Sequence, residues 1–433
     1  MQNNRPSILV VTTLIAIFGF LTVTTSSAAT SEKVLHSFES NGTDGYYPSA
    51  SLVFDASGNL YGTAFDGGPG NLGVVFQLVP GSGGAWTENI LYNFCSVAGC
   101  VDGANPQGGV IVDAAGNLYG TTAGGGAYGS GTVFELVLGS NGKWKEKVLH
   151  NFNTVGTDGY YPLSSLIADS SGNLYGTTEW GGVHNSGTVF RLSLGTNQKW
   201  TKKTLHSFND NGKDGYAPYA SLIFDQSGNL YGTTTLGGAS GTGCGGQGCG
   251  TVFELTSGAN DKWTEKVLHS FMDSGKSGFK PWGGLVFDGS GNLYGTTNAG
   301  GPTNAGCGNG GCGVVFELTP LGNGKWAEKV LHSFKNNNTD GYASTAGLTI
   351  DVHGNLYGTT FYGGAYNDGT VFEMTYANNK WTETVLHNFD WSIYVKDGTW
   401  PMSSLIFDEA GNLYGTTQDG GDYNMGAVVE ITP

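Results

Sequence analysis

Hydrophobic and polar positions along the chain fall into four short apolar segments that recur as a set seven times. In the first unit residues 51–55 read SLVFD, 58–64 read GNLYGTA, 73–78 read GVVFQL and 86–94 read WTENILYNF. Each segment is four to nine residues long, rich in Val, Leu, Phe, Tyr and Trp, and bounded by Gly, Asp, Asn or Pro, which is the signature of short strands joined by tight turns. The second segment is the best marker: GNLYGT begins at Gly58, Gly116, Gly172, Gly228, Gly291, Gly354 and Gly411. Four strands per unit, repeated at this period, predict an all-β, seven-bladed β-propeller of four-stranded blades.

The ends of the chain support a closed ring. Residues 33–38, KVLHSF, are the fourth segment of a unit that lacks its first three, whereas the last unit has its first three segments and stops before its fourth. The N-terminal strand is therefore expected to complete the last blade, which removes the open edges that would invite association. Everything from residue 30 to residue 433 is assigned to this one domain.

Residues 1–29 differ from all that follows. Arg5, an apolar run over 8–23 and the small residues Ser26, Ser27, Ala28 and Ala29 have the layout of a secretory signal peptide. An uncleaved membrane anchor is the alternative. With the leader removed no membrane span remains, and the protein is expected to be secreted or extracellular, with the periplasm and the cell surface as alternatives.

Composition narrows the partners. Net charge is −16 and no basic cluster occurs, which argues against nucleic acid and anionic membranes. The 75 glycines stand at fixed offsets in the units, so they read as turn and close-packing residues and not as disorder. Six cysteines form three pairs at one spacing: Cys95 with Cys100, Cys244 with Cys249, and Cys307 with Cys312. In an exported chain these read as local disulfides. A four-cysteine zinc site built from two neighbouring pairs is the rival.

Several repeated polar residues invite a functional reading. The aspartate of the first turn returns as Asp55, Asp113, Asp169, Asp225, Asp288, Asp351 and Asp408, and a side chain that bonds its own turn explains it better than a ring of metal ligands. The fourth segment carries His36, His150, His206, His269, His332 and His387, with Tyr92 in the remaining unit. On what should be the outermost strand they read as structural. An Asp-Gly in the connections between units, replaced once by Ser277, is turn chemistry first and a calcium ligand second.

The recurring GNLYGTT…GG…GTVFEL unit resembles the GloVer tandem repeat of exported bacterial proteins and, more distantly, NHL-type propellers with their D-x-x-G-N-L-Y hairpins. The resemblance runs from residue 33 to residue 433. It implies a secreted or surface-displayed propeller and supplies no reaction and no cofactor. The chain stops inside its last unit, so free secretion is expected over surface attachment.

No G-x-S-x-G, H-E-x-x-H, P-loop or EF-hand spacing is present. Variation between units concentrates in the loop joining the second and third segments, which in a propeller shares one face with the connection between blades. Phe65, Tyr128, Glu179, Trp180, His184, Phe361, Tyr362, Tyr366, Asp419 and Tyr423 are therefore expected around one mouth, with Trp180 as the anchor. Exposed aromatics with a few acids suit a polysaccharide or protein ligand. The chain is read as a monomeric binding scaffold, and the alternative is a carbohydrate-active hydrolase or lyase using carboxylates and His184 near the axis.

Overall fold

A blade starts from its first hairpin. Asp55 Oδ1 accepts from the backbone N–H of Ser57 and Asn59 at 2.8 and 2.9 Å, while Oδ2 accepts from Asn59 Nδ2 and the Tyr61 hydroxyl at 2.8 and 2.9 Å. Gly58 follows in the left-handed region at φ +80°, where it carries no Cβ penalty. Burial works against ionisation of Asp55, but the Asn59 and Tyr61 donors outweigh it and hold the carboxyl below its ordinary value. The same bonds recur at the other six turns.

The hairpin sets the register of the second strand. Leu60–Ala64 is buried throughout, and its glycine is needed for packing: a Cβ on Gly62 would stand 2.5 Å from Phe76 Cζ and 2.9 Å from Leu52 Cδ2. The third strand, Val74–Pro80, lays Phe76 across that gap. The fourth, Trp86–Asn93, pairs antiparallel with the third and opens on the tryptophan.

Described in this computed structural model are residues 31–239, 244–392 and 396–433; the leader expected over residues 1–29 lies outside them. Seven antiparallel sheets have the strand order of the first blade; six are four-stranded, and in the last the connection Gly398–Pro401 is paired on as a fifth strand. In the last of them Ser31–Ser37 pairs with Ala427–Thr432, Ser31 opposite Thr432 and Ser37 opposite Ala427, so the two ends of the chain share one blade. Fold class, blade number and ring closure are those the repeat predicts. No helix among the described residues is long and apolar enough to cross a membrane.

Blades are held together by one interface used repeatedly. The phenylalanine that ends each fourth strand (Phe38, Phe94, Phe152, Phe208, Phe271, Phe334) meets the third-strand phenylalanine of the next blade edge-on at 5.0–5.3 Å between ring centroids. At the seventh interface Phe389 packs in one cluster with Val429. Nearer the axis a threonine of each second strand donates to the innermost segment of the next blade, from Thr63 Oγ1 to the Gly108 carbonyl round to Thr416 Oγ1 on the Ala50 carbonyl, at 2.7–3.4 Å.

Candidate functional site

The connection between blades and the loop between second and third strands pair with each other, so they do form one face. Gly159–Tyr160 bonds Trp180–Gly181, Gly45–Tyr46 bonds Asp66–Gly67, and equivalent two-residue ribbons occur at three other blades, with a single bridge from Ala104 to Gly124 in the second and the longer Gly398–Pro401 pairing in the last. Next in the chain comes a residue in the left-handed region: Tyr47, Asn105, Tyr161, Ala217, Lys280, Ala343 and Trp400, all at φ 54–58°. Its N–H donates to the loop of the preceding blade, as from Tyr161 to the Ser130 carbonyl, and its own carbonyl accepts from the end of the second strand, as from the Glu179 N–H. This double bond across two blades is what the unusual backbone conformation serves.

The chain then turns into the axis through a stretch of the form Pro-x-small-small-Leu, with Val110 in place of the Leu in the second blade and Ser344 in place of the Pro in the sixth, and x differs in every blade: Ser49, Gln107, Leu163, Tyr219, Trp282, Thr345 and Met402. These residues surround an axial well of about 90 Å³. Gln107 Nε2 donates across the axis to the Tyr219 hydroxyl. Tyr219 stacks on Trp282 at 5.9 Å and 25°.

The sequence-predicted residues separate into two groups and a rim. Glu179 and Trp180 belong to the first, beside the axial Tyr219. Burial raises the Glu179 carboxyl, with the Trp180 indole opposing it, and burial together with the Glu179 charge pushes Tyr219 up to about 12. In the second group Phe361 stacks on Trp400 at 5.7 Å and 21°, and Tyr362 meets both rings edge-on. Trp391, 51% exposed, leans on Trp400 at 6.2 Å and donates its indole N–H to Asn424 Oδ1 at 2.9 Å. Asp419 continues this arc with Asp66; both carboxyls are raised by burial, and both charges bear on Tyr47. Phe65 is half-buried beside Asp66, its carbonyl accepting from Asn105 Nδ2. Tyr128, His184, Tyr366 and Tyr423 are exposed at the loop tips, so His184 stands apart from the axial well.

Sequence reasoning missed Trp391, Trp400, Tyr47, Tyr219, Trp282 and Gln107. A signal existed for Tyr219, Trp282 and Gln107: aligning the units on Pro-x-small-small-Leu exposes one position that changes in size and chemistry while its neighbours stay small or apolar. Trp391 lies in a connection longer than its counterparts, and nothing local marks it.

Away from this face the histidines of the fourth strands have partners between blades. Four groups (His36, Asp44 and Glu88; His206, Asp214 and Glu265; His332, Asp340 and Glu383; His387, Asp397 and Glu32) bring one imidazole and two carboxylates within 4.8 Å. Donors of that kind can hold a divalent cation. The remaining interfaces are built differently: Tyr92 donates to Asp102 at 2.9 Å, Lys202 Nζ donates to Asp158 at 2.7 Å, and Ser277 donates to Glu328 at 2.7 Å. A position that accepts a phenol, an ammonium or a hydroxyl in place of one member is a polar seam between blades, in keeping with the structural reading of the histidines. All three cysteine pairs are disulfides, which overturns the zinc alternative.

Fold and face together define a class: a ring-closed seven-bladed propeller made of one repeated unit, with aromatic side chains and a few acids gathered on the loop face. The chain belongs to the Gloeobacter/Verrucomicrobia repeat family, whose model matches residues 20–245, 140–307 and 244–433. No curated protein matches it in sequence. Among solved structures it is similar to an ancestral GH74 enzyme, at 14% identity and TM-score 0.54 over 90% of this chain and 48% of that one. It is similar also to the extracellular domain of a B. thetaiotaomicron protein described as a one component system, at 13% identity and TM-score 0.51 over 92% and 42%. A third is a polysaccharide lyase, the PL25 ulvan lyase, at 11% identity and TM-score 0.51 over 91% and 94%. The chain spans less than half the length of the first two. At these identities the likeness is one of fold.

Proposed function

We infer that this is an exported binding protein that takes a neutral glycan chain across its loop face. The observation that carries the reading is the aromatic arc of Phe361, Tyr362, Trp391 and Trp400. Preset, partly exposed rings are suited to stacking on sugar rings and cost little entropy to order. A second contact, Trp180 with Glu179, lies beside the axial well. Three disulfides support an extracellular setting. Two of the similar folds carry polysaccharide or glycoside-family names, which makes a glycan the first ligand class to test.

Binding is favoured over hydrolysis because the side chains lining the axial well include no carboxylate and no histidine, whereas glycoside hydrolysis uses a facing carboxyl pair. Asp66 and Asp419, flanking Tyr47, are the acids a hydrolase reading would invoke. The test is a screen of the mature protein against immobilised polysaccharides with a reducing-sugar assay alongside. Retention by a neutral polysaccharide without release of reducing ends is the expected result. Release of reducing ends that is lost in Asp66→Asn or Asp419→Asn would establish the enzyme instead, and retention by none would refute a glycan ligand.

A further inference from the structure

We propose that the axial well is a hydrogen-bonding subsite for one uncharged hydroxyl arm of the bound chain, read by Trp282 Nε1 and Thr345 Oγ1; the proposal rests on the glycan reading and sharpens it. Both residues line the well, and both atoms are buried at its wall without a hydrogen-bond partner. Buried polar atoms are nearly always satisfied, and an exception calls for a water or a ligand. Three other hydroxyls at the well are already used. Ser165 Oγ accepts from the Gly109 N–H at 2.8 Å, Ser404 Oγ from the Gly347 N–H at 3.0 Å, and Ser51 Oγ from the Ser404 N–H at 3.2 Å. Among the buried side-chain atoms of the described residues at the well, the unmet demand is confined to the two adjacent blades that supply Trp282 and Thr345.

The chemistry of the pair selects its ligand. An indole N–H only donates, whereas a threonine hydroxyl both donates and accepts. One alcohol group can accept from the indole and donate to the threonine. A carboxylate or sulfate arm would enter a well whose lining side chains carry no charge, and a buried charge without a counter-charge is strongly disfavoured. The well is a small recess, about 90 Å³. It takes a hydroxymethyl arm while the sugar ring stays outside. Trp282 is held for this by its stacking on Tyr219, which Gln107 fixes from across the axis. Glucose- or mannose-type units have such an arm and xylose units do not, so the site discriminates between hexose and pentose chains.

The experiment titrates cellohexaose, mannohexaose and xylohexaose into the wild type and into Trp282→Phe, Thr345→Val and Trp400→Ala, with melting temperature as the check on folding. A hexose oligomer should bind more tightly than xylohexaose. Trp282→Phe, which keeps a ring and removes only the N–H donor, should weaken hexose binding about fivefold, as expected for one neutral hydrogen bond, and leave xylohexaose unchanged. Thr345→Val should do the same. Hexose binding that Trp400→Ala weakens and both axial variants leave intact would overturn the subsite and preserve the glycan face, with the two atoms serving water only. Binding of none of the three oligomers would overturn both.

Discussion

Single residues on the loop face carry two kinds of constraint. At the same position of each connection between blades a non-glycine residue, from Tyr47 to Trp400, stands in the left-handed region, a conformation that costs an L-residue roughly 1–2 kcal/mol and that glycine would adopt freely. Tyr47, Asn105, Tyr161, Lys280 and Trp400 keep a large or polar side chain there, the strain being held by the double hydrogen bond that this conformation makes between blades. The glycine of the second strand is the opposite case. A Cβ on Gly176 would come within 2.8 Å of Phe190 Cζ and 2.9 Å of Leu166 Cδ2, and both neighbours are locked in the core. Gly176→Ala is therefore expected to cost about 2 kcal/mol, in the range of core overpacking, as measured by urea unfolding. A midpoint unchanged from wild type would show that the blade has slack. Residues of this kind were legible: the turn aspartates and the packing glycine recur in every unit. The axial ring was not, because its one varying position sits inside a turn that otherwise looks purely structural.

Among elements, the seam between neighbouring fourth strands sets the pH response. Burial and the Asp214 charge raise Glu265, with His206 opposing, to about 7; burial and Asp340 do the same to Glu383, with His332 opposing; burial and Asp102 raise Glu146 to about 7. Burial raises Glu32, Glu88 and Glu328 in the same direction. A carboxyl raised in the folded state binds a proton that the unfolded chain has lost, so its contribution is complete below about pH 4.5 and declines as pH rises through about 7. His269, held down to about 4 by burial, works in the other direction, but it is one group against six. The melting temperature should fall between pH 5 and pH 8, and Glu265→Gln, which leaves His206 and Asp214 in place, should flatten that slope. A melting temperature that rises over this interval would contradict the assignment. The strands were readable from their alternation and their turns. The seam was not, since its members come from two blades and meet only once the blades are stacked.

Over the whole molecule, the threonine-to-carbonyl bonds and the phenylalanine contacts run from blade to blade and close on the shared last blade. Removing residues 33–38 takes away the strand that covers Ala427–Thr432 and exposes an apolar edge. The shortened protein should associate or lose much of its stability, and a monomer that melts like the intact protein would show that the ring does not depend on this strand. Closure was legible from the two incomplete ends of the sequence. The division of the face into an arc around Trp400 and a contact around Trp180 was not, because it depends on which connections stand side by side around the ring.

The central claim is that the loop face binds while the tryptophans of the fourth strands only pack. Trp86 is half-buried against Tyr414 of the neighbouring blade at 6.4 Å, whereas Trp180 and Trp400 lie on the face. The decisive measurement is the affinity of Trp180→Ala, Trp400→Ala and Trp86→Ala for the oligosaccharide retained most tightly, together with the melting temperature of each. Loss of a face anchor should cost more than about 2 kcal/mol of binding, about thirtyfold in affinity, with melting unchanged. Trp86→Ala should instead cost about 2 kcal/mol of stability, below the 3–5 kcal/mol of a fully buried ring, and keep its affinity. Unchanged affinity in both face variants, or the same loss in all three, would contradict the account.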